Sequence, residues 1–221
     1  MSRQRPGGLP APLPQDLHIH TTFSRGDGAV VPEQTVELVA RIAHARVIGI
    51  SDHLEYVAGE FEEYARTVRA HRLRLGVEVN GAEWVVQAGE LPVDYYIYHC
   101  RDRGQDYRGA ERLAACGRPV IIAHPQMLQT DLSKVAPECL IEINNRYAWR
   151  ENGWRALAPY VGRFRFVIGS DAHQPHWLGQ TAARRIAREL GVRETLLFPA
   201  PAALSGRSAS RTACWPPPPP A

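Results

Sequence analysis

The sequence predicts an α/β fold in which seven parallel strands close into a barrel and form a single domain. Short apolar runs rich in β-branched residues alternate along the chain with segments of helical periodicity. Seven such units follow one another without a break, which favours a closed barrel over an open sheet. The chain has 221 residues, and α/β barrels of roughly 200–250 residues form one domain.

Each of the seven predicted strands runs into a cluster of polar residues. In the first strand, Asp16–His20, apolar residues alternate with histidines. Leu17 and Ile19 therefore point to one face while the two histidines point to the other. The later strands are short apolar runs bounded by polar or turn residues. They are Arg46–Ile50, Leu73–Val79, Asp94–Tyr98, Pro119–Ala123, Cys139–Ile143 and Phe164–Ile168.

Helix signals lie between the predicted strands. Pro32 beside Glu33 predicts a helix start, and Val36 and Val39 then recur at helical spacing. Gly191 predicts the end of the last helix. The other predicted helices are Glu60–Arg72, Arg108–Cys116, Trp149–Leu157 and Gly179–Leu190.

The two ends of the chain differ in composition from its centre. Residues 1–14 are rich in proline and glycine and have no apolar segment of the signal-peptide type. From Pro199 onward proline, alanine, serine and arginine dominate, and such a composition cannot build a core. We therefore predict a flexible lead over 1–14, the barrel over 15–198 and a disordered tail over 199–221. No apolar run approaches the roughly 18 residues of a membrane helix, so we expect a cytoplasmic protein with no membrane partner.

The charged residues favour a small phosphorylated substrate. The formal net charge is +3 at pH 7, and Lys134 is the single lysine, so arginine supplies nearly all the positive charge. No basic run indicates a nucleic-acid partner, although the charge does not exclude one. The four cysteines include no C-x-x-C pair, which predicts neither a disulfide framework nor a thiolate zinc site. Nothing in the composition sets the oligomeric state.

The histidines gather at the ends of the predicted strands. In parallel barrels these ends meet at one face, where functional groups lie. Glu78 and Asp171 occupy equivalent positions on the third and seventh strands. So many imidazoles and carboxylates are costly to bury without a compensating cation, which predicts more than one metal ion. The strand-end histidines are His18, His20, His53, His99, His124, His173 and His176, whereas His44 and His71 are predicted surface residues of helices.

Six stretches together resemble the polymerase-and-histidinol-phosphatase (PHP) family of metal-dependent phosphoesterases. They occur in the family's order and span about residues 16–190. The resemblance implies a distorted (β/α)7 TIM-like barrel that binds two to three divalent ions, zinc, manganese or iron. The matching stretches are Asp16–Ser24, Ile50–His53, Gly76–Glu78, His99, Ile122–Pro125 and Gly169–His173.

The resemblance also implies three groups of metal ligands. Glu78 bridges two of the ions, and Glu78, Asp171 and His173 are the implied catalytic residues. The ligands are His18, His20, Glu78 and Asp171 for one ion, Glu78, His99 and His124 for a second, and His53 and His173 with a loop residue for the third.

The loop after His20 departs from the family's pattern. The family places an Asp or His directly after the serine, whereas here Arg25 and Gly26 follow Ser24 and precede Asp27. We predict that Asp27 reaches the third ion through this longer loop. If it does not, the site is dinuclear and the loop serves the substrate.

The predicted ligands and their neighbours define the expected chemistry. Imidazole mixed with carboxylate suits zinc, manganese or iron better than magnesium or calcium. Paired ions would supply a hydroxide that attacks phosphorus. Asp52 is predicted to orient a ligating imidazole, and Glu142 and Asn144 to have supporting roles. The predicted phosphate-binding residues are Arg25, Arg101 and Arg146, which are expected to follow ligand-bearing strands.

The leading expectation is a hydrolase of phosphomonoesters of a small metabolite, as in histidinol phosphatases of the family. A nuclease or cyclic phosphodiesterase is the nearest alternative. An amidohydrolase-like enzyme also begins with His-x-His, but its bimetallic type bridges the metals with a carbamylated lysine, and Lys134 lies outside the predicted strand ends. A metal-stabilised module without catalysis, like the PHP domains attached to polymerases, is the remaining alternative.

Overall fold

The computed structural model describes residues 11–148 and 153–200, in which seven parallel strands pair in chain order from β1 to β7. A parallel bridge between Ile19 and Ala172 brings β1 to β7, and the N–H of His20 donates to the carbonyl of Ala172 at 2.9 Å. The sheet is therefore a nearly closed barrel, and the predicted α/β TIM-like fold in one domain is confirmed. The strands are β1 (Leu13–Asp16), β2 (Ala45–Ile50), β3 (Arg74–Val79), β4 (Tyr95–Tyr98), β5 (Val120–Ile122), β6 (Leu140–Asn144) and β7 (Arg165–Gly169).

Six α-helices of the described residues cover the outside of the sheet. The first begins at Val36 instead of Pro32, because the Thr35 side chain accepts the N–H of Leu38 at 3.1 Å and caps it. Short 3-10 turns accompany them, and one over Gly153–Tyr160 stands where a helix ending at Leu157 was predicted. The helices are α1 (Val36–Ile42), α2 (Leu54–Val57), α3 (Phe61–Ala70), α4 (Val85–Glu90), α5 (Gly104–Ala114) and α6 (Thr181–Glu189).

Some predictions fall on residues outside the described ranges. These are the flexible lead up to residue 10, the tail from residue 201 and the start of the predicted helix at 149–152. Strand β1 begins at Leu13, two residues before the predicted start of the barrel, and ends at Asp16. The prediction of the first strand over Asp16–His20 was therefore wrong: beyond Asp16 only an isolated bridge at Ile19 continues the pairing, so His18 and His20 follow the strand. Among the described helices, none has the length and apolar character needed to cross a bilayer.

The interior of the barrel is built around the ring of Tyr95. Its hydroxyl donates to the carbonyl of Leu17 at 2.7 Å. Gly49 and Gly76 on the neighbouring strands leave room for the ring, because a Cβ at Gly76 would lie 2.4 Å from Tyr95 Cζ. Leu197 and Phe198 pack against this inner cluster. Arg74, the first residue of β3, lies over the Phe198 ring at 4.6 Å, so these two residues cover the amino end of the barrel.

We expect Gly76→Ala to lower the free energy of unfolding by about 1–3 kcal/mol, because the added methyl group overpacks the barrel interior. Gly59→Ala is the matched control, since a Cβ there meets nothing within 4 Å. Urea denaturation of both variants checks the difference. Equal stabilities would contradict the packing role of Gly76.

A buried hydrogen-bonded pair joins β1 to the segment after α1. His44 Nε2 lies 2.9 Å from Asp16 Oδ2, and their side chains are 8% and 0% exposed. The other oxygen of Asp16 accepts the N–H of Ser170 at 3.0 Å, just beyond β7. The prediction that His44 is a surface helix residue was wrong: Ala43 has a φ of 48° and ends the helix, so His44 turns inward.

Candidate metal centre

The nine predicted ligands come together at the carboxyl end of the barrel. Six of the seven strands deliver one at or just beyond their last residue, because parallel strands all end at the same face. Within the described residues, three groups have ligand atoms close enough to hold a metal ion. We name them the first group (His18, His20, Glu78), the second group (Glu78, His99, His124) and the third group (His20, His53, His173).

The first group lies on β3 and the extension of β1. His18 Nε2 and His20 Nε2 are 3.2 Å apart and lie 3.3 and 3.1 Å from the Glu78 carboxylate. Asp171 Oδ1 is 3.8 Å from both nitrogens. All four side chains are buried. The imidazoles that the His-x-His alternation predicts side by side therefore face two carboxylates.

The second group shares Glu78 with the first. His99 Nε2 contacts Glu78 Oε1, and His124 Nε2 lies 3.8 Å from the same oxygen. The two Nε2 atoms are 3.1 Å apart. Because Oε1 also lies 3.3 Å from His18 Nε2, and Oε2 lies 3.1 Å from His20 Nε2, one carboxylate serves both groups, as a bridging ligand requires.

Asp27, the loop residue that the sequence left least defined, lies beside the third group. Asp27 Oδ2 lies 2.7 Å from His173 Nε2 and 3.3 Å from His53 Nε2. The His20 ring centroid is 4.4 Å from that of His53 and 4.2 Å from that of His173. The longer loop thus brings the Asp27 carboxylate to the two histidines with which it was predicted to act.

The donor atoms fit divalent cations. Glu78 Oε1 is buried and has no hydrogen-bond donor of good geometry among the described residues. Burial alone would raise the pKa of Glu78, but His99, His53, His18 and His20 hold it well below its ordinary range, so the carboxylate is ionised. An ionised oxygen beside clustered imidazole nitrogens matches the mixed ligand sets of zinc, manganese and iron.

Metal binding is expected to release a proton from His53 near neutral pH. Burial lowers the pKa of His53, yet Glu78, Asp27 and Glu55 together raise it to about 9. Below that pH the metal-free imidazole is protonated, and a metal must displace the proton, so affinity rises with pH up to about 9. Calorimetry in two buffers of different ionisation enthalpy measures the release. His53→Ala should release fewer protons, and an unchanged number would contradict this.

Two ligands have backbones in the left-handed region. His124, just after β5, has a φ of 25°, and Asp171, just after β7, has a φ of 54°. Such conformations are unfavourable for residues other than glycine and persist where the surroundings hold them. Strain at two predicted ligands marks this face of the barrel as a functional site.

Asp52 holds the loop and does not touch an imidazole ring. It accepts the N–H of Thr21 at 2.7 Å and the hydroxyl of Ser24 at 2.7 Å. Ser24 Oγ in turn accepts the N–H of His53 at 3.1 Å. Burial raises the pKa of Asp52 to about 6 despite these hydrogen bonds. The prediction that it orients a ligating imidazole is corrected: it orders the backbone that carries Asp27 and His53.

Seven of the nine predicted ligands, all but His18 and His20, line a cleft of about 660 Å³. Arg101 and Arg146 lie in its wall, as predicted for phosphate-binding residues. Arg25 does not line it: its guanidinium is 71% exposed and lies 3.2 Å from Glu60. The sequence interpretation missed several other residues that line the cleft. Two of them, Asn80 and Tyr147, could have been found from their positions shortly after β3 and β6. The missed residues are Glu55, Asn80, Glu83, Trp84, Met127, Leu128 and Tyr147.

Neither a comparison with protein-family models nor a comparison with curated proteins finds a match to this chain. The histidine-rich and acidic groups at the barrel mouth could bind metal ions, which is consistent with a metal-dependent hydrolase. Any finer assignment depends on the residues and their geometry.

Proposed function

We propose that this protein is a metal-dependent phosphoesterase that hydrolyses phosphomonoesters of a small metabolite. The observation that carries the proposal is the shared carboxylate of Glu78, which lies between two ligand groups at the floor of a cleft with arginines in its wall. A cleft of about 660 Å³ has the size of small-molecule sites, which span roughly 300–1,000 Å³.

Each part of the cleft has a role in this chemistry. Divalent ions bound to the ligand groups would activate a water molecule and polarise a phosphoryl oxygen. Arg146 lies 3.4 Å from Asp171, and its guanidinium is about 5 Å from the rings of both Tyr147 and Trp177. These contacts hold the guanidinium at the edge of the ligand groups, where it can bind phosphate oxygens. Arg101 supplies a second positive charge beside the second group.

We also propose membership of the PHP family. The order of the matching stretches supports it, and so does the position of Asp27 beside His53 and His173 despite its longer loop. An amidohydrolase-like site is less well supported, because Lys134 is about half exposed and pairs with Asp102 and Asp131. It therefore offers no bridging carbamate.

A phosphate-release screen tests the proposal. Metal-free protein reloaded with zinc, manganese or iron is offered phosphomonoesters, cyclic phosphodiesters and short oligonucleotides. We expect metal-dependent release from phosphomonoesters, with none from His18→Ala. Preference for oligonucleotides or cyclic diesters would favour the nuclease or phosphodiesterase alternative. Metal binding without hydrolysis of any ester would favour the non-catalytic module.

A further inference from the structure

Among the seven described strands, β6 carries no metal ligand at its carboxyl end, yet it lies between β5 and β7, which both do. Its last residues include two buried polar side chains, Glu142 and Asn144, each 1% exposed. Buried polar groups in a barrel are costly unless their hydrogen bonds are satisfied. Apart from each other and the N–H of Tyr147, the partners of these two side chains are residues of the metal centre.

Glu142 touches one ligand of each group that shares Glu78. Its Oε1 accepts a hydrogen bond from His18 Nδ1 at 2.8 Å. Its Oε2 accepts the backbone N–H of His124 at 2.9 Å and the amide of Asn144 at 2.9 Å. One carboxylate therefore connects the first group, through His18, to the second group, through His124.

The same two side chains hold the strained ligands on either side. The N–H that Glu142 accepts belongs to His124, whose φ is 25°. Asn144 donates to Asp171 Oδ2 at 3.1 Å, and Asp171 has a φ of 54°. Since such backbones persist only where neighbours constrain them, β6 supplies the constraint for the ligands that follow both adjacent strands.

The space for the Glu142 carboxylate depends on Gly169 at the end of β7. A Cβ at this position would lie 2.1 Å from Glu142 Oε1 and 3.0 Å from His18 Cβ. Any larger residue would push the carboxylate away from His18. The absence of a side chain at Gly169 on β7 thus leaves the space in which Glu142 Oε1 accepts the hydrogen bond from His18.

We propose that Glu142 is a positioning residue that couples the first and second metal sites. By accepting the Nδ1 proton it fixes the tautomer of His18 with Nε2 free for a metal and raises the basicity of the ring. By accepting the N–H of His124 it fixes the backbone that presents that ligand. The inference rests on the metal centre of the proposed function but not on its substrate.

Zinc titration of the metal-free protein against a chromogenic chelator tests the coupling. Glu142→Gln should weaken two zinc equivalents together by about 10–100-fold, because the loss of the negative charge weakens the hydrogen bonds to both His18 and His124. Glu194→Gln is the matched control: Glu194 is partly buried and paired with Arg184, away from the ligand groups. It should bind zinc like the wild type.

Circular dichroism shows whether Glu142→Gln folds. If it does not, a second variant that retains the Glu142 carboxylate tests the coupling instead. Gly169→Ala should weaken the same two equivalents, whereas Gly162→Ala, with open space around its Cβ, should not. Wild-type zinc affinity in Glu142→Gln, or weakening of a single equivalent, would overturn the coupling. A wild-type chain that binds zinc but releases no phosphate would overturn the proposed function alone.

Discussion

Replacing Glu78 by alanine is expected to remove metal binding from the first and second groups at once. Its carboxylate lies within 3.3 Å of four imidazole nitrogens and 3.8 Å from a fifth. Removing a residue that only hydrogen-bonds to a metal ligand lowers metal affinity by roughly 10–100-fold. Removing the shared ligand itself should therefore lower the metal affinity of each group by at least about 100-fold. Phosphate release at limiting metal should fall with it.

Metal content after dialysis, zinc titration and phosphate release together measure this effect. Glu78→Gln preserves the shape of the side chain and one oxygen but not the charge. We therefore expect its metal affinity to lie between those of the wild type and Glu78→Ala. Glu63→Gln, at an exposed position on α3, serves as the control for expression and folding. If Glu78→Ala kept both ions at wild-type affinity, the assignment of Glu78 as a bridging ligand would be wrong.

His44→Ala is expected to lower the free energy of unfolding by about 3–5 kcal/mol, because it leaves the buried charge of Asp16 without its partner. For a chain of this size the melting temperature should fall by roughly 6–20 °C. Thermal unfolding followed by circular dichroism measures the shift. The loss is large because Asp16 also holds the N–H of Ser170, where β1 meets β7.

Two companion variants separate the charge effect from loss of the side chain. His71→Ala removes an exposed histidine that lies 3.7 Å from Glu37, and surface pairs of this kind contribute about 0–1 kcal/mol. Asp16→Asn combined with His44→Ala removes the unpaired charge and should recover most of the stability. A melting temperature of His44→Ala equal to that of His71→Ala would contradict the role of the buried pair.

Six of the seven strands could be predicted closely, because runs such as Val120–Ile122 are apolar and β-branched and end in polar residues, whereas β1 was placed about three residues too late. Short helices could not. In α4 only Val85 and Ala88 are buried, so two positions carry the whole periodic signal. The first helix was placed too early because Pro32 and Glu33 resemble a helix start, whereas the capping contact that sets it belongs to Thr35.

The sequence by itself determined the barrel and the set of histidines and acidic residues at its mouth that could bind metal ions. Residues at the carboxyl ends of parallel strands meet at one face however far apart they lie in the sequence. Their identity and order are therefore enough to predict which residues gather there. Only the tertiary structure decided which atoms face one another. His18 and Glu142 are 124 positions apart, and the places of Asp27, His44 and Arg25 depend on how loops turn. No local pattern encodes such contacts, because they exist only after distant segments pack together.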